Sequence, residues 1–180
     1  MKREEAFLLV KEHIKTPNLL KHVLAVEACM RELAKRLGED VELWGLAGLL
    51  HDLDYEYTKD KPEEHGLVSA KMLEGKVRPE VIEAIKAHSD KSPRNTSLAK
   101  ALYSVDPLTG LIVASALMHP QKSLKTLDVQ FVLNRFKEKG FARGANREQI
   151  KSCEELGLNL EEFIKLCLQG MREISDQLGL

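Results

Sequence analysis

The sequence predicts an all-α fold, a compact single-domain helical bundle. Three observations carry this. Apolar residues recur at helical spacing almost everywhere, and no segment alternates as a strand would. Capping residues, prolines and glycines punctuate the chain at intervals that suit helices. The chain has 180 residues, 43% of them hydrophobic and 31% charged, the balance of a globular domain large enough to bury one core. No repeat, low-complexity tract or linker divides it. Residues 1–180 therefore read as one domain, with a core over about 18–118 and C-terminal helices over 120–180 packed on it.

The elements follow in order. Residues 3–15 form a first amphipathic helix, ended by Thr16-Pro17. Asn18 is placed to cap a second, which carries Leu19, Val23, Val26, Met30, Leu33 and Leu37 and stops at Gly38. Asp40 caps a third, running through Trp44 to about His51. Pro62 and Pro79 suit the first turns of helices that reach about Gly75 and His88. Ser92-Pro93-Arg94-Asn95 is a loop. A long helix then spans Leu98 to Leu117, with Pro107 as a kink or restart, until His119-Pro120 breaks it. Helices are expected at about 127–139 and 146–156. Asn159 with Glu162 opens a last one over 160–178.

Composition excludes several classes. A formal net charge of −1 gives no broad attraction to nucleic acid, so none is expected as a partner. The apolar stretches look too short to span a bilayer and no signal-peptide pattern opens the chain, so no membrane association and a cytoplasmic location are expected. The three cysteines, Cys29, Cys153 and Cys167, form no C-x-x-C pair and read as reduced core thiols. No P-loop, GxGxxG, GxSxG or HExxH motif is present.

What remains is a set of ionisable residues on apolar faces. His22 shares a stripe with Val26, Cys29 and Leu33; His65 with Val68 and Met72; His88 with Val81, Ala84 and Ile85; Asp106 with Ala99, Leu102 and Tyr103. His51-Asp52 ends the apolar run Leu46-Ala47-Gly48-Leu49-Leu50. Neighbouring helical residues point about 100° apart, so both can face one ion only where the helix ends, as Leu53-Asp54-Tyr55 and the charged run to Lys61 suggest. Each histidine alone can be satisfied by a carbonyl, and Asp106 alone can cap the turn before Pro107. Together, several unpaired buried ionisable groups would be costly, and a shared metal removes that cost. Histidine with carboxylate suits a divalent transition metal, Fe, Mn, Co, Ni or Zn, as one or two ions.

This constellation resembles the HD-domain superfamily of metal-dependent phosphohydrolases. The family pattern H…HD…D reads here His22, His51-Asp52 and Asp106, and the resemblance covers about residues 18–118. It implies that these four bind a first metal, that His65 and His88 bind a second, and that Asp52 bridges the two, with His51 and Asp52 at the catalytic centre. By motif order the chain is similar to small bacterial HD proteins, including the symmetrical diadenosine tetraphosphate hydrolases. It departs in having Leu53-Asp54-Tyr55 where many members place Gly-Lys. It also lacks the long motifs of deoxynucleotide triphosphohydrolases and (p)ppGpp hydrolases.

The expected function is hydrolysis of a phosphoester or phosphoanhydride, with a small phosphorylated molecule of the nucleotide class as substrate, through metal-activated hydroxide. Two alternatives stand beside it. One is an HD-type di-iron oxygenase, which uses the same ligand types; the other is a non-catalytic nucleotide-binding sensor. Homo-oligomerisation is compatible with all three. Lys122, Arg143 and Arg147 are candidate phosphate contacts, Arg143 and Arg147 because they flank a helix start. Asp54, Glu56 and Glu64 read as solvated loop charges or as carboxylates that orient the ligands. His13 and His119 read as surface and loop residues.

Overall fold

A computed structural model describes all residues, 1–180. The chain is helical throughout its ordered elements, as predicted. α1 spans Arg3–His13. The turn after it is held by Glu56, whose Oε1 accepts from the backbone N–H groups of Lys15 and Thr16 at 3.0 and 2.6 Å. α2 spans Pro17–Leu37 and ends at Gly38, whose φ of 72° is the left-handed C-cap conformation. Its N-cap is Thr16, not Asn18. Proline has no N–H to leave unpaired and its φ suits a helix, so the helix begins two residues earlier than a capping asparagine would set it.

α3 spans Val41–Leu50, and Asp40 caps it through Oδ1, which accepts from Leu43 N at 3.0 Å. α4 is a single turn, Tyr55–Thr58, that hydrophobic periodicity does not signal. α5 spans Leu67–Leu73. Pro62 does not open it: residues 62–66 are turns, and the helix starts only after Gly66, at φ 81°. The Asp54 carboxylate draws the segment in by accepting from Gly66 N and Ser69 N. α6 spans Pro79–His88, as its proline predicts.

α7 spans Ser97–Met118 and contains Pro107 without stopping. The proline deprives the Tyr103 carbonyl of its helical donor. Gln149 replaces it, its Nε2 donating to Tyr103 O at 2.8 Å. α7 is long and apolar enough by length and composition to cross a bilayer, against the expectation that no stretch is; here it packs against α2 and α6. α8 spans Val129–Lys137 and α9 Arg147–Lys151, followed by a 3₁₀ turn, Ser152–Leu156. Asn159 caps α10, Leu160–Glu173, by accepting from Glu162 N at 2.8 Å. The last helix does not run unbroken to 178: it stops at Ile174 and resumes as the short α11, Ser175–Leu178.

One glycine sets the geometry at the centre. A Cβ on Gly48 would stand 2.9 Å from the backbone of Glu27. Only glycine lets α3 lie this close to α2, and that approach brings His22 and His51 to one point.

Candidate metal centre

The six ligand candidates come from five places in the fold. His22 is on the first turns of α2; His51 caps the C-terminus of α3 and Asp52 follows it in the turn. His65 sits in the turn before α5 rather than on a helix, His88 is the last residue of α6, and Asp106 is inside α7, just before Pro107. The structure brings all six together. His22 Nε2 lies 3.1 Å from Asp106 Oδ1 and 3.5 Å from Asp52 Oδ2. Asp52 Oδ1 lies 3.4 Å from His51 Nε2, 3.4 Å from His65 Nε2 and 3.5 Å from His88 Nε2. His51 Nε2 lies 3.8 Å from Asp106 Oδ1. Two overlapping groups have metal-holding geometry, His22 with His51 and Asp106, and His51 with Asp52 and His88. Atoms bound to one ion at about 2.0–2.2 Å stand roughly 3.0–3.5 Å from one another, so these separations fit shared ions.

The outer nitrogens fix the proton positions. His51 Nδ1 donates to Gly48 O at 2.7 Å, and His88 Nδ1 donates to Ile85 O. His65 Nδ1 donates to Asp54 Oδ1 at 2.8 Å. The Thr109 hydroxyl donates to Asp106 O at 2.9 Å, which leaves its oxygen to accept from His22 Nδ1 at 3.2 Å. With each Nδ1 carrying its proton, each neutral imidazole turns an Nε2 lone pair inward. Two of these, on His65 and His88, face each other at 3.1 Å. His51 Nε2 is buried and has no hydrogen-bond partner. Once their inward protons leave, these imidazole nitrogens and the two carboxylates are the donor set of a cation site.

The charges respond accordingly. Burial opposes the imidazolium of His51, but Asp52 and Asp106 outweigh it and push its pKa up to about 9. Burial opposes the Asp52 carboxylate, but His51, His88 and His22 hold it well below the ordinary range; His22 and His51 do the same for Asp106. Protons thus collect where a metal would sit. His51, Asp52 and His88 are buried, whereas the side chains of His22, His65 and Asp106 are 24%, 21% and 28% exposed. The cluster therefore opens to solvent on one side.

Asp54 is not a solvated loop charge. It is fully buried, with Oδ2 accepting from Gly66 N and Ser69 N at 2.8 Å each and its own N–H donating to Ser69 Oγ at 3.0 Å. Burial raises its pKa, but His65 and the two backbone donors outweigh this and lower it. Glu56 and Glu64 hold no ligand: Glu56 fixes the α1–α2 turn, and Glu64 pairs with Lys61 at 3.5 Å. Thr109 was not singled out by the sequence, because its role depends on the carbonyl three residues before it and on a histidine 87 residues away.

The three basic candidates separate. Arg147 is committed elsewhere: its guanidinium donates to the carbonyls of Arg135, Phe136, Glu138, Phe141, Ala142 and Ala145. All five N–H groups are used in shaping the 135–147 loop, so the expectation of a phosphate contact there is corrected. Lys122 lies beyond Met118, itself about 18 Å along α7 from Asp106, and lines neither cleft beside the cluster. Arg143 is exposed, and its neighbours Ala142, Gly144 and Ala145 line a cleft with His22 and Asp106. His13 meets the Tyr57 hydroxyl and His119 packs on Phe131, both away from the cluster. The three cysteines are free and buried.

The HD domain family model matches residues 19–122. The chain belongs to the HD domain family. HD domains form a superfamily of metal-dependent phosphohydrolases. Among curated proteins, Ribonuclease Y of Nitratidesulfovibrio vulgaris (strain DP4) is 35% identical over 97 residues, 52% of this chain and 18% of the relative. Ribonuclease Y of Lawsonia intracellularis is 28% identical over 138 residues, 74% of this chain and 26% of the relative. That of Geobacter metallireducens is 31% identical over 94 residues, 52% and 18% respectively. The chain thus spans about a fifth to a quarter of the length of the relatives it matches. No solved structure matches it.

Proposed function

We propose that this HD domain hydrolyses a phosphoester or phosphoanhydride of the nucleotide class, with His22, His51, Asp52 and Asp106 holding one divalent ion and Asp52, His65 and His88 a second. The observation that carries the reading is the inward set of imidazole lone pairs around Asp52, with the buried His51 Nε2 left without a partner. A divalent ion bound there supplies Lewis acidity, lowering the pKa of a water toward neutrality and neutralising phosphate charge.

The chain's own residues do the rest. Asp52 offers Oδ2 toward His22 and Oδ1 toward His51, His65 and His88, so this one carboxylate would serve both groups of ligands. The Nδ1 hydrogen bonds to Gly48, Ile85, Asp54 and Thr109 hold each imidazole in its ligating tautomer. The exposed edges of His22 and Asp106 face the cleft beneath Ala142–Ala145, where a phosphate group can enter. Arg143, exposed on that loop between the lining residues Ala142 and Gly144, is the nearest cation in sequence to that cleft and is our candidate to meet the phosphate.

The relatives' name favours a second substrate, an RNA phosphodiester. One experiment addresses both. The metal-loaded chain is given a panel of nucleotides, sugar phosphates and short RNA in ¹⁸O-labelled water. Incorporation of one label into the released phosphate, lost in Asp52→Ala while the helical circular dichroism persists, is the expected result. Dependence on O₂ with no phosphate released from any substrate would replace this reading with the di-iron oxygenase.

A further inference from the structure

Two clefts meet beside the cluster. One, of about 370 Å³, lies over Asp106 and Pro107 under the loop Ala142–Ala145. The other, of about 480 Å³, runs between α2 and α7 and is flanked by the turn after α11. Its inner end is His22 and Thr109. Its walls are apolar on the α7 and α11 sides, with Val113, Leu117 and Leu178, and polar along α2, with Asn18 and Lys21. Two residues line both clefts: His22 and Gly110.

Gly110 has no structural reason to be glycine. It stands in the middle of α7, where glycine weakens a helix relative to alanine. Its backbone is not in the left-handed region. Nothing lies within 4 Å of the place its Cβ would take, so it serves no close helix contact, unlike Gly48 and Gly170. What the missing side chain leaves is open space, at the junction of the two clefts.

The geometry points to the α2–α7 cleft as the subsite for a single nucleoside moiety of the substrate, with Gly110 keeping the passage from the phosphate cleft clear. The inference rests on the hydrolase reading for the phosphate and on the cleft itself for the rest. A volume of about 480 Å³ suits one small-molecule group, since ligand pockets usually run to about 300–1,000 Å³. Apolar walls pack on the faces of a flat heteroaromatic ring, and the Asn18 amide offers a donor and an acceptor to its polar edge. Lys21 is the one lysine or arginine in the lining. A polynucleotide would call for a row of cations that follows its phosphates. The chemistry favours a mononucleotide over an RNA chain.

The test uses the full chain and begins with a ligand that has no phosphate. Adenosine and uridine are titrated into ¹⁵N-labelled protein, with and without metal, and amide shifts are mapped. The expected shifts centre on Gly110, Val113 and Ala114, and they persist without metal. Gly110→Leu introduces a good helix former, keeps the metal content, and weakens nucleoside binding at least tenfold. Leu117→Glu, at a position already half exposed, does the same from the far wall and serves if the first variant folds poorly. In direct binding to the metal-loaded protein, AMP should exceed ribose 5-phosphate by at least tenfold, and that ratio should collapse in both variants. Nucleoside shifts elsewhere, binding unchanged in both variants, no preference for AMP over ribose 5-phosphate, or affinity for oligoribonucleotides that climbs with length would each overturn the inference. Loss of the hydrolase reading alone would leave the nucleoside shifts in place, so the two failures are distinguishable.

Discussion

Asp54→Asn isolates the second ion. The substitution keeps the shape of a buried side chain and changes one group. In the native chain Oδ2 accepts from Gly66 N and Ser69 N, and Oδ1 accepts from His65 Nδ1, each at 2.8 Å. Two backbone donors demand an oxygen, so the asparagine carbonyl takes the Oδ2 place and its NH₂ group turns to His65. Nδ1 must then accept rather than donate, and the imidazole proton moves to Nε2, the atom 3.4 Å from Asp52 and 3.1 Å from His88 Nε2. A protonated Nε2 cannot ligate. Restoring the ligating tautomer sets two donors face to face and forfeits a charge-assisted hydrogen bond, about 1.5–3 kcal/mol. At about 1.4 kcal/mol per tenfold, the affinity for the second ion falls about 10- to 150-fold, while the ion held by His22, His51 and Asp106 is unaffected.

Chelator competition followed by elemental analysis measures both sites, and long-range ¹H–¹⁵N spectra of the histidines report the tautomer directly. Circular dichroism checks that the fold is kept. A variant that binds two ions with native affinity, or that keeps the His65 proton on Nδ1, would refute the reasoning from Asp54 through His65 to the metal.

Other consequences can be measured separately. Replacing His65 and His88 together with alanine should halve the metal content and keep the first ion; unchanged stoichiometry would make them structural histidines. His51, at about 9 in the metal-free chain, must lose a proton to ligate, so metal uptake should release protons and tighten as pH rises toward 9. The same shift sets the sign for stability. A histidine raised above its unfolded value of about 6.5 stabilises the fold below that pH and ceases to do so as pH climbs through its folded value. The melting temperature of the chelated protein should therefore fall between about pH 6.5 and 9, and a flat or rising profile would contradict the assignment. Arg147→Ala should cost about 2–4 kcal/mol of stability, because it strips donors from six carbonyls of the 135–147 loop. A raised KM at native melting temperature would return Arg147 to the substrate.

The helices were legible where local chemistry decides them. Asp40, Asn159, Pro79 and Gly38 each act on their own neighbours in the chain, and each marks its boundary. Boundaries failed where a distant group decides. Pro62 suits a helix start, yet the Asp54 carboxylate competes for the donors of Gly66 and Ser69 and holds the segment as a turn. Pro107 reads as a break, and Gln149 from α9 removes the penalty by serving the stranded Tyr103 carbonyl. Arg147 read as a phosphate contact because a helix start and a free cation look alike until the carbonyls around it are seen.

The ligand cluster and its supports differ in the same way. Ligands show in a sequence because a buried histidine or aspartate on an apolar face is costly and therefore conspicuous. The groups that orient them need not be. Thr109 is an ordinary helical residue on α7, and only the arrival of His22 from α2 turns its hydroxyl into a relay between an imidazole and the Asp106 carbonyl. Asp54 lies in a charged run whose other members are solvated, and nothing local separates it from Glu56 or Asp60. Its burial comes from the long-range docking of α5 beneath it. Gly48 is harder still, since its function is the absence of a side chain where α3 crosses α2. That crossing carries His22 and His51 to a common point. Gly48→Ala should therefore disturb metal binding through a residue that touches no ligand, and a variant that loses stability yet keeps both ions at native affinity would show that the site tolerates a wider helix separation than the packing suggests.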